Sequence, residues 1–407
     1  MKYLVAVDDC FLDRPGGMGR VAWDIAMLMH DRGHEVAMVA ARQQRDGAPP
    51  AVTREQGIRL LRYSRPLLPA WHPRRGQKII AAAVAATRQH FADEPWDVVH
   101  MHAPFTGAGV LRALGAQPHY VYTMHSPVVM EQRINWASQG AVGRLKMTLG
   151  LGALEREERA VLQVCEHIHT LSEYCRAQVE RYHGLGARVT VVPYWRRPEL
   201  HREHTKAEAR RLLGWPADET ILLSVRTLGP RYGIDVAIRA LAPFARAGRC
   251  TYVIAGDGPL RAELLQLVHR LEVSARIWFT GRLDETHLRL AYEAADLFVL
   301  PTVALECFGL IVVEALSFGC PVVGTDAGAI PELMRPILPA FVVPSGDVFA
   351  LRNRLDEFLR GDLIAPSPEE LVTHVGRCFD KATITARMAA WIEAASGPRL
   401  ATTRMAS

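Results

Sequence analysis

The sequence has few of the features that mark secreted, zinc-binding or membrane-spanning proteins. Its seven cysteines are scattered and form no Cys-x-x-Cys pair, which argues against a disulfide framework or a structural zinc site. It has no apolar run of about 18 or more residues, the length that a bilayer-crossing helix requires. The first residues show no signal-peptide pattern, so we expect a cytoplasmic protein.

Motifs for metals, cofactors and nucleic acids are also missing. There is no Asp-x-Asp, so we expect no metal-held diphosphate and no cofactor. The glycines after the first strand lack Gly-x-Gly-x-x-Gly spacing, which argues against a dinucleotide fingerprint. A net charge of +5 without a basic-aromatic motif argues against nucleic acid as a partner. The positive excess lies in the first half, which favours either peripheral contact with the inner face of an anionic membrane or an ordinary Arg-rich surface.

The length and element pattern predict two domains. At 407 residues and 49% hydrophobic composition, the chain is long for one core. Strands and helices alternate in both halves, which predicts an α/β protein with two doubly wound Rossmann-like domains facing each other across a cleft. We expect an N-terminal domain over 1–193, completed by a helix at about 381–395, and a C-terminal domain over 196–380. We expect irregular connections over 43–57, 64–77 and 128–150.

The strongest signal lies between 300 and 331, where two carboxylates flank the start of an apolar helix. Glu306 precedes the helix and Glu314 lies inside it, where a carboxylate is costly without a partner. The hydroxyls of a sugar diol could be that partner. The amides of Cys307 to Leu310 open the helix and suit a phosphate. The alternative is a half-buried helix whose two glutamates have no ligand.

Three further groups follow predicted strands. Gly16 and Gly17 could let the backbone approach a phosphate or sugar closely, or could form a simple tight turn. His125 ends the strand His119 to Met124, and such a residue faces the ligand crevice of an open α/β sheet. Arg226 and Arg231 are two cations in one loop that could clamp a diphosphate, or could be solvated.

These motifs resemble the family-4 retaining glycosyltransferases of GT-B fold. The family hallmark Glu-x-Phe-Gly-Leu-x3-Glu-Ala, followed by Gly-x-Pro-Val-Val, is complete from Glu306 onward. The family pattern Gly-Gly-x-x-Arg matches at Gly16, Gly17 and Arg20, and its Thr-x-His matches at 123–125. Its Val-His-x-His strand places His100 and His102, of which we interpret His102 as structural. The family's Pro-Asn-Gly is replaced by Pro-Tyr-Trp at 193–195, so the hinge conformation stays open.

The resemblance implies transfer of a hexose from a UDP- or GDP-linked sugar to an unidentified hydroxyl acceptor, without a metal. It implies that Glu306 and His125 contact the transferred sugar, that Glu314 binds the ribose, and that Arg226 and Arg231 neutralise the leaving diphosphate. The implied catalytic residues are therefore Glu306, His125, Arg226 and Arg231. The implied donor-binding residues are Gly16, Gly17, Arg226, Arg231, Gly281, Arg282, Leu283, Glu306, Cys307, Phe308, Gly309, Leu310 and Glu314.

Two other functions are compatible with such a site. One is a nucleotide-sugar epimerase of GT-B fold, and the other is a non-catalytic subunit that binds a nucleotide-sugar. The combination of Glu306, Phe308, Gly309 and Glu314 favours transfer over epimerisation. No element of the motif is visibly broken, which argues against a non-catalytic subunit.

Overall fold

The structure is a computed structural model that describes residues 1–14, 16–43, 51–66, 68, 72, 74–137 and 139–397. The chain divides into two compact units. The N-terminal unit comprises Met1–Arg133, Gly140–Val192 and the C-terminal segment from Ala382. The C-terminal unit comprises Ile134–Gln139 and Pro193–Lys381.

The N-terminal unit contains an eight-stranded sheet in the order β3-β4-β2-β1-β5-β6-β7-β8. Its strands are β1 Lys2–Asp9, β2 Glu35–Gln43, β3 Ala51–Glu55, β4 Ile58–Arg65, β5 Val98–Met101, β6 His119–Met124, β7 His167–Thr170 and β8 Val189–Val191. Every neighbouring pair is parallel except β3 and β4. The chain adds strands on one side of β1 and then on the other, so the order reverses between β1 and β5.

The helices of the first half connect these strands. They are α1 Gly17–Asp31, α2 Arg75–Phe91, α3 Pro104–Leu114, α4 Val128–Ala137, α5 Gly140–Val164 and α6 Glu173–His183. Central strands such as β1 and β5 are buried along almost their whole length because helices cover both faces of a parallel sheet.

Three local predictions for this half are wrong. In the segment 128–150, predicted as irregular, Val128–Ala137 forms α4, and α5 begins at Gly140 and continues to Val164. Gly143 and Gly150 are buried in α5, so packing outweighs the low helix propensity of glycine. The sequence predicts a helix from Val21 to Arg32, but α1 begins at Gly17, four residues earlier.

The segment 43–57, predicted as a connection, contains β3, while its residues 44–50 lie outside the described part of the chain. Strand β3 pairs antiparallel with β4, and its side chains are mostly exposed, so its sequence shows no alternation of apolar residues. In the predicted connection 64–77, β4 extends to Arg65 and α2 begins at Arg75. Residues 67, 69–71 and 73 of that connection are not among those described.

The C-terminal unit contains a six-stranded parallel sheet in the order β11-β10-β9-β12-β13-β14. Its strands are β9 Ile221–Val225, β10 Thr251–Ala255, β11 Ile277–Gly281, β12 Leu297–Leu300, β13 Val322–Thr325 and β14 Val342–Val343. The order reverses between β9 and β12, which is the doubly wound topology. The predicted α/β class with two parallel-sheet domains is thereby confirmed.

The remaining helices are α7 Lys206–Leu213, α8 Ile234–Arg246, α9 Arg261–Arg270, α10 Glu285–Ala294, α11 Leu310–Ser317, α12 Ile330–Met334, α13 Val348–Arg360, α14 Pro368–Cys378 and α15 Lys381–Ala394. From Ala382 onward α15 belongs to the N-terminal unit. Its Trp391 ring packs between those of His100 and His169, at centroid distances of 5.6 and 5.5 Å.

Candidate functional site

In the C-terminal unit, the predicted donor-binding residues follow the carboxyl ends of neighbouring parallel strands. Arg226 follows β9, the loop containing Glu306 follows β12, and Gly281 ends β11. Strands β9 and β12 are the neighbours at which the strand order reverses. Ligands of open α/β sheets bind at this kind of position, because the two loops diverge there and leave a crevice.

Arg226 and Glu306 form an ion pair across this position. Arg226 also donates to Thr302 Oγ1 at 2.8 Å, and its guanidinium lies 4.6 Å from the centre of the Tyr232 ring. Both charged side chains are largely buried, with 10% and 15% of their side-chain surfaces exposed. The sequence analysis assigned the diphosphate to Arg226 and the sugar to Glu306. In the structure, these two side chains pair with each other.

Arg231 lies on the same aromatic ring. Its guanidinium is 4.7 Å from the centre of Tyr232 and donates to the Tyr232 hydroxyl at 2.7 Å. It also donates to the carbonyl of Leu305 at 3.2 Å, next to Glu306 in the chain. The two arginines predicted as a clamp are therefore brought together around Tyr232, close to the Glu306 loop.

The loop before α11 has an unusual backbone. Leu305 has a φ of +56°, and Gly309, the N-cap of α11, has a φ of +99°. Gly328 approaches this loop so closely that an added Cβ would lie 2.2 Å from the Glu306 carbonyl oxygen. The Ala329 amide donates to that carbonyl at 2.7 Å. The Glu306 backbone is thus fixed by contact with the turn after β13.

The amides of Cys307 to Leu310 lie at the start of α11, as the sequence predicts. The first turn of α11 holds no acidic residue, and its N-cap makes no side-chain hydrogen bond. Phe308 is buried and packs edge-on against Phe379, with ring centroids 5.9 Å apart. The positive end of the helix dipole therefore meets no side-chain carboxylate of its own first turn.

Glu314 has protein partners that the sequence did not reveal. The Tyr292 hydroxyl donates to it at 3.1 Å, and the Arg197 guanidinium lies 3.7 Å away. Burial raises the pKa of Tyr292, and the charge of Glu314 raises it further, which keeps this hydroxyl a donor. The partner that the sequence predicts for Glu314 is thus supplied by protein groups in this structure, and its ribose contact stays a prediction.

Arg197 and Tyr292 could not be found from the sequence because no motif marks them. Arg197 also donates to Glu285 at 3.2 Å. Burial acts to lower the pKa of Arg197, but Glu314 and other surrounding acidic groups raise it overall. Glu314 is therefore oriented by two residues far apart in sequence, the hydroxyl donor Tyr292 and the cation Arg197.

The predicted nucleobase turn Gly281, Arg282 and Leu283 follows β11, the edge strand of the same sheet. The Gly281 carbonyl accepts a hydrogen bond of 2.7 Å from the Gly256 amide, which joins the ends of β10 and β11. Arg282 is exposed. The turn shares the carboxyl edge with Arg226, which follows β9 two strands away, and with Glu306, which follows β12 three strands away.

In the N-terminal unit, Gly16 and Gly17 lie at the start of α1, after β1. Gly16 is extended, and no atom of the described residues lies within 4 Å of a Cβ built on it. Packing therefore does not explain this glycine, and the exposed backbone is open to a ligand. Gly19 is the sterically constrained glycine of this segment, because its Cβ would lie 2.8 Å from the Asp9 carbonyl oxygen.

Two buried histidines of the N-terminal sheet belong to a hydrogen-bond chain in which the donor and acceptor of every bond can be assigned. His169 Nε2 lies 2.8 Å from the Val192 carbonyl, which can only accept, so Nε2 carries the proton. His169 Nδ1 then accepts from Thr123 Oγ1 at 2.9 Å. Thr123 accepts from His100 Nε2 at 2.6 Å, and His100 Nδ1 accepts from the Tyr3 hydroxyl at 2.5 Å.

Burial explains why these rings stay neutral. It lowers the pKa of His169 to about 4 and that of His100 well below its ordinary value. The chain Tyr3, His100, Thr123, His169 and Val192 therefore has a single arrangement of protons. Since Thr123 lies two residues before His125, this buried network holds the end of β6 in place.

His125 is half-buried and contacts a second histidine. Its Nε2 lies 2.9 Å from Nδ1 of His102, and the two rings are stacked with centroids 5.2 Å apart. Nε2 of His102 is buried without a partner among the described residues. A proton there would be an unmatched buried donor, so the proton of His102 lies on Nδ1 and is donated to His125.

The neutral His125 ring then carries its own proton on Nδ1. Burial lowers the pKa of His125 to about 3, so the ring is uncharged near neutral pH. His125 is thus presented as an N–H donor, a form suited to the oxygen of a sugar hydroxyl. His102, interpreted from the sequence as structural, is the residue that sets this form.

The described residues contain neither a metal-binding cluster nor a membrane-spanning helix. No group of three or more His, Cys, Asp or Glu side chains there could hold a metal ion. In that same part of the chain, no helix is long and apolar enough to cross a membrane.

Comparison with known proteins matches both halves of the chain to glycosyltransferase families. A family described as "Glycosyl transferase 4-like domain" matches residues 16–195. A family described as "Glycosyl transferases group 1" matches residues 205–373. The matched ranges contain every candidate catalytic residue.

Curated relatives have the same activity class in their names. The D-inositol 3-phosphate glycosyltransferase of Thermobispora bispora is 29% identical over 95% of this chain and 92% of its own length. The protein of the same name from Mycobacterium bovis is 27% identical over 70% of this chain. The chain spans 58% of the length of that second relative.

Solved structures share the fold. Sucrose-phosphate synthase from Thermosynechococcus elongatus has a TM-score of 0.78 at 21% identity, covering 97% of this chain and 98% of its own. Anabaena Alr3699/HepE in complex with UDP-glucose has a TM-score of 0.72 at 18% identity, covering 97% of this chain and 100% of its own.

Proposed function

Because this chain belongs to the family-4 retaining glycosyltransferases of GT-B fold, we propose that it transfers a hexose from a UDP- or GDP-linked donor to an acceptor hydroxyl. The chain is a glycosyltransferase, and the donor, acceptor and residue roles are what we propose. A UDP-linked hexose is supported by the structure of HepE, which contains UDP-glucose. A role in glycan, glycolipid or glycoside synthesis follows from transfer to a hydroxyl.

The observation that carries this proposal is the Arg226–Glu306 pair at the strand-order reversal of the C-terminal sheet. A donor contains an anionic diphosphate and a polyhydroxylated sugar, joined at the bond that breaks. Arg226 and Glu306 offer one cation for the diphosphate and one carboxylate for the sugar hydroxyls, side by side. When a donor binds, Arg226 and Glu306 can separate, so that Arg226 contacts the diphosphate and Glu306 contacts the sugar hydroxyls.

We assign the remaining donor contacts by position. Arg231 and the amides of Cys307 to Leu310 would neutralise the diphosphate. Glu314, oriented by Tyr292 and Arg197, would accept hydrogen bonds from the ribose. The turn from Gly281 to Leu283 would line the nucleobase pocket. Gly16 and Gly17 would let the backbone approach the donor phosphate or sugar.

His125 would donate through Nδ1 to a hydroxyl of the transferred sugar. The N-terminal domain, 1–193 with the helix at about 381–395, would hold the acceptor, and the C-terminal domain, 196–380, the donor. The leaving phosphate would help to deprotonate the acceptor on the same face of the sugar, which retains the anomeric configuration. The arginines and amides supply the charge stabilisation, so we propose that no metal or cofactor is needed.

The alternatives are less well supported. The two curated relatives described above are both named glycosyltransferases rather than epimerases. A non-catalytic subunit would not need the ion pair and the donor histidine to be intact together.

We further propose that the protein works in the cytoplasm, at the inner membrane face. The first half of α5, from Gly140 to Leu154, contains two cations and no acidic residue. It exposes the side chains of Val142, Leu145 and Leu149. Apolar and cationic residues on one exposed helix suit an anionic lipid surface.

Incubation with UDP- and GDP-hexoses, with and without a mixed membrane extract as acceptor source, tests the proposed function. Slow release of free hexose without acceptor, faster consumption with extract, and equal rates with EDTA are expected. An altered hexose still linked to the nucleotide would instead indicate an epimerase, and no release from any donor would indicate a binding subunit. Loss of activity with EDTA would contradict metal independence.

A further inference from the structure

A cavity separate from the candidate donor site lies entirely within the N-terminal unit. It has a volume of about 500 Å³ and opens between the start of α2, the start of α3 and the middle of α5. This volume lies within the range of small-molecule sites. Its lining includes Arg74, Arg75, Phe105, Leu149 and Arg156. None of the residues assigned above to the donor lines it.

The cavity is at the edge of the sheet that holds His125. Phe105 lies in the first turn of α3, which begins three residues after the carboxyl end of β5. His125 directly follows β6, the parallel neighbour of β5. Carboxyl ends of parallel neighbours lie on the same edge, so a ligand in this cavity would be on the reactive side of the sheet.

One wall of the cavity is cationic. The guanidinium groups of Arg74, Arg75 and Arg156 make no ion pair within the described residues. The carboxylate of Glu157, which also lines the cavity, is paired with Arg112 at 2.9 Å. The wall therefore carries excess positive charge.

Arg75 is the most telling of these groups because it is partly buried. Its Nε atom is shielded from solvent and has no partner among the described residues. Burial lowers the pKa of Arg75 and repulsion from Arg65 lowers it further, while Asp8 and Asp9 oppose this shift only in part. The nearby acidic groups do not offset the burial of this cation, and an anion beside it would reduce that cost.

The backbone adds to the same field. Arg74 is the N-cap of α2, a helix of 17 residues, and makes no side-chain cap hydrogen bond. The first turn of α2 holds no acidic residue. The positive end of this helix and three guanidinium groups thus face one space, which matches the charge and acceptor oxygens of a phosphate.

The other wall is apolar and continues outside the cavity. Phe105, Leu149 and Leu154 line it. Leu145 and Val142 precede Leu149 by one and two helical turns on the same face of α5. Between 53% and 60% of each of Val142, Leu145 and Leu149 is exposed, so an apolar strip leads from the cavity along the helix.

We propose that this cavity binds the phosphate of an amphipathic acceptor, whose apolar chain lies along Leu149, Leu145 and Val142. The acceptor class is thus a phosphorylated lipid. This assignment rests on the proposed glycosyltransferase function. A soluble phosphorylated sugar would satisfy the cationic wall but leave the apolar strip uncovered.

Three probes separate the two halves of the site. Octyl phosphate carries both groups, octyl glucoside has only the chain as an apolar group, and inorganic phosphate has only the anion. Calorimetric titration of the full chain, with each amphiphile below its micelle concentration, should show octyl phosphate binding about tenfold or more tightly than the others. Equal affinity for inorganic phosphate would overturn the lipid assignment, and equal affinity for octyl glucoside would overturn the phosphate assignment.

Variants locate the binding. Arg75→Gln and Arg156→Gln should each weaken octyl phosphate by about tenfold, and Leu149→Ser should weaken octyl phosphate but not inorganic phosphate. Arg176→Gln is the matched control, because Arg176 is an exposed arginine of the same unit on α6. Thermal unfolding checks that each variant is folded. Unchanged affinity in folded Arg75→Gln and Arg156→Gln would overturn the proposed site.

Donor hydrolysis by the parent protein, measured in the same preparation, separates the two proposals. Hydrolysis without tight binding of octyl phosphate would overturn the acceptor assignment alone. Absence of hydrolysis with every donor would overturn the proposed function and the acceptor role that rests on it.

Discussion

His102 Nδ1 lies 2.9 Å from His125 Nε2, and this contact decides which nitrogen of His125 is left to meet a ligand. His102 itself is fully buried, so it acts only through its neighbour. The pair shows that the chemical form of a candidate catalytic residue is set by a residue that no substrate can touch.

Replacing His102 should therefore change turnover without changing nucleotide binding. His102→Leu removes the hydrogen bond, and we expect turnover to fall by about tenfold or more. His102→Asn should restore much of the loss, because the asparagine amide can donate from nearly the position of Nδ1. Steady-state kinetics would measure both variants, with nucleoside diphosphate affinity as the folding control. A leucine variant as active as the parent would leave His102 with a packing role only.

The buried histidines should make the N-terminal unit sensitive to acid. The pKa of His169 is lowered to about 4, whereas an unfolded chain has the ordinary value near 6.5. Below pH 6.5 the unfolded state takes up a proton that the folded state does not. The free energy of unfolding should therefore fall as pH falls from about 6.5 to 4, by up to about 1.4 kcal/mol per pH unit for this histidine.

Urea unfolding at pH 7.5 and pH 5 would measure that slope. His169→Gln should reduce the difference between the two pH values, because glutamine does not titrate. His201→Gln is the control, since His201 is exposed. Equal pH dependence in the parent and the His169 variant would contradict the assignment of an uncharged buried ring.

Removing the charge of Glu314 should weaken donor binding. A ribose contact acts in the ground state and the transition state alike, so Glu314→Gln should raise the Michaelis constant for the donor more than it lowers turnover. Tyr292→Phe should have a smaller effect in the same direction, because it removes only one group that orients Glu314. Kinetics at varied donor concentration would compare the two. Unchanged donor affinity in Glu314→Gln would rule out the ribose contact.

Arg226 should matter most as the glycosidic bond breaks. Negative charge on the diphosphate grows at that moment, so Arg226→Gln should lower turnover by about a hundredfold, which corresponds to about 3 kcal/mol. Thr302→Val removes only the hydrogen bond that orients Arg226 and should cost less. Single-turnover rates would separate this effect from product release. A variant within a few-fold of the parent would show that Arg226 does not stabilise the leaving group.

Glu306 and His125 should behave as one functional unit in kinetics. We propose that both contact the transferred sugar, so each alanine variant should lose turnover by orders of magnitude while nucleoside diphosphate binding survives. Their combined effect should be smaller than the product of the single effects, because the second loss acts on a sugar already misplaced. Turnover of both single variants and the double variant tests this. Fully multiplicative losses would show that the two act on different groups.

The positions of the site loops could be predicted from the sequence because the carboxyl end of a buried parallel strand has a recognisable pattern. A short apolar run that stops at a charged residue or glycine identified Arg226, Gly281 and His125 without any structure. Side-chain pairs between residues far apart in the chain could not be predicted from the sequence. Arg226 and Glu306 are 80 positions apart, and Arg197 reaches Glu314 from outside every motif.

Elements whose stability comes from packing were also missed. The first half of α5 contains Gly140, Gly143, Gly150 and Gly152, which obscure its helical pattern. Strand β3 has an exposed surface that carries no apolar period. In both cases tertiary contacts outweigh local propensity, and a single sequence does not contain those contacts.

The short antiparallel strand β3 has a consequence for how the protein behaves at high concentration. Without it, the eight-residue strand β4 would present a long row of unpaired amides and carbonyls to any other strand. Strand β3 covers that row and replaces it with a five-residue rim that bears Arg54 and Glu55. Short, charged rims discourage edge-to-edge association, so this strand protects the protein from aggregating through its N-terminal sheet.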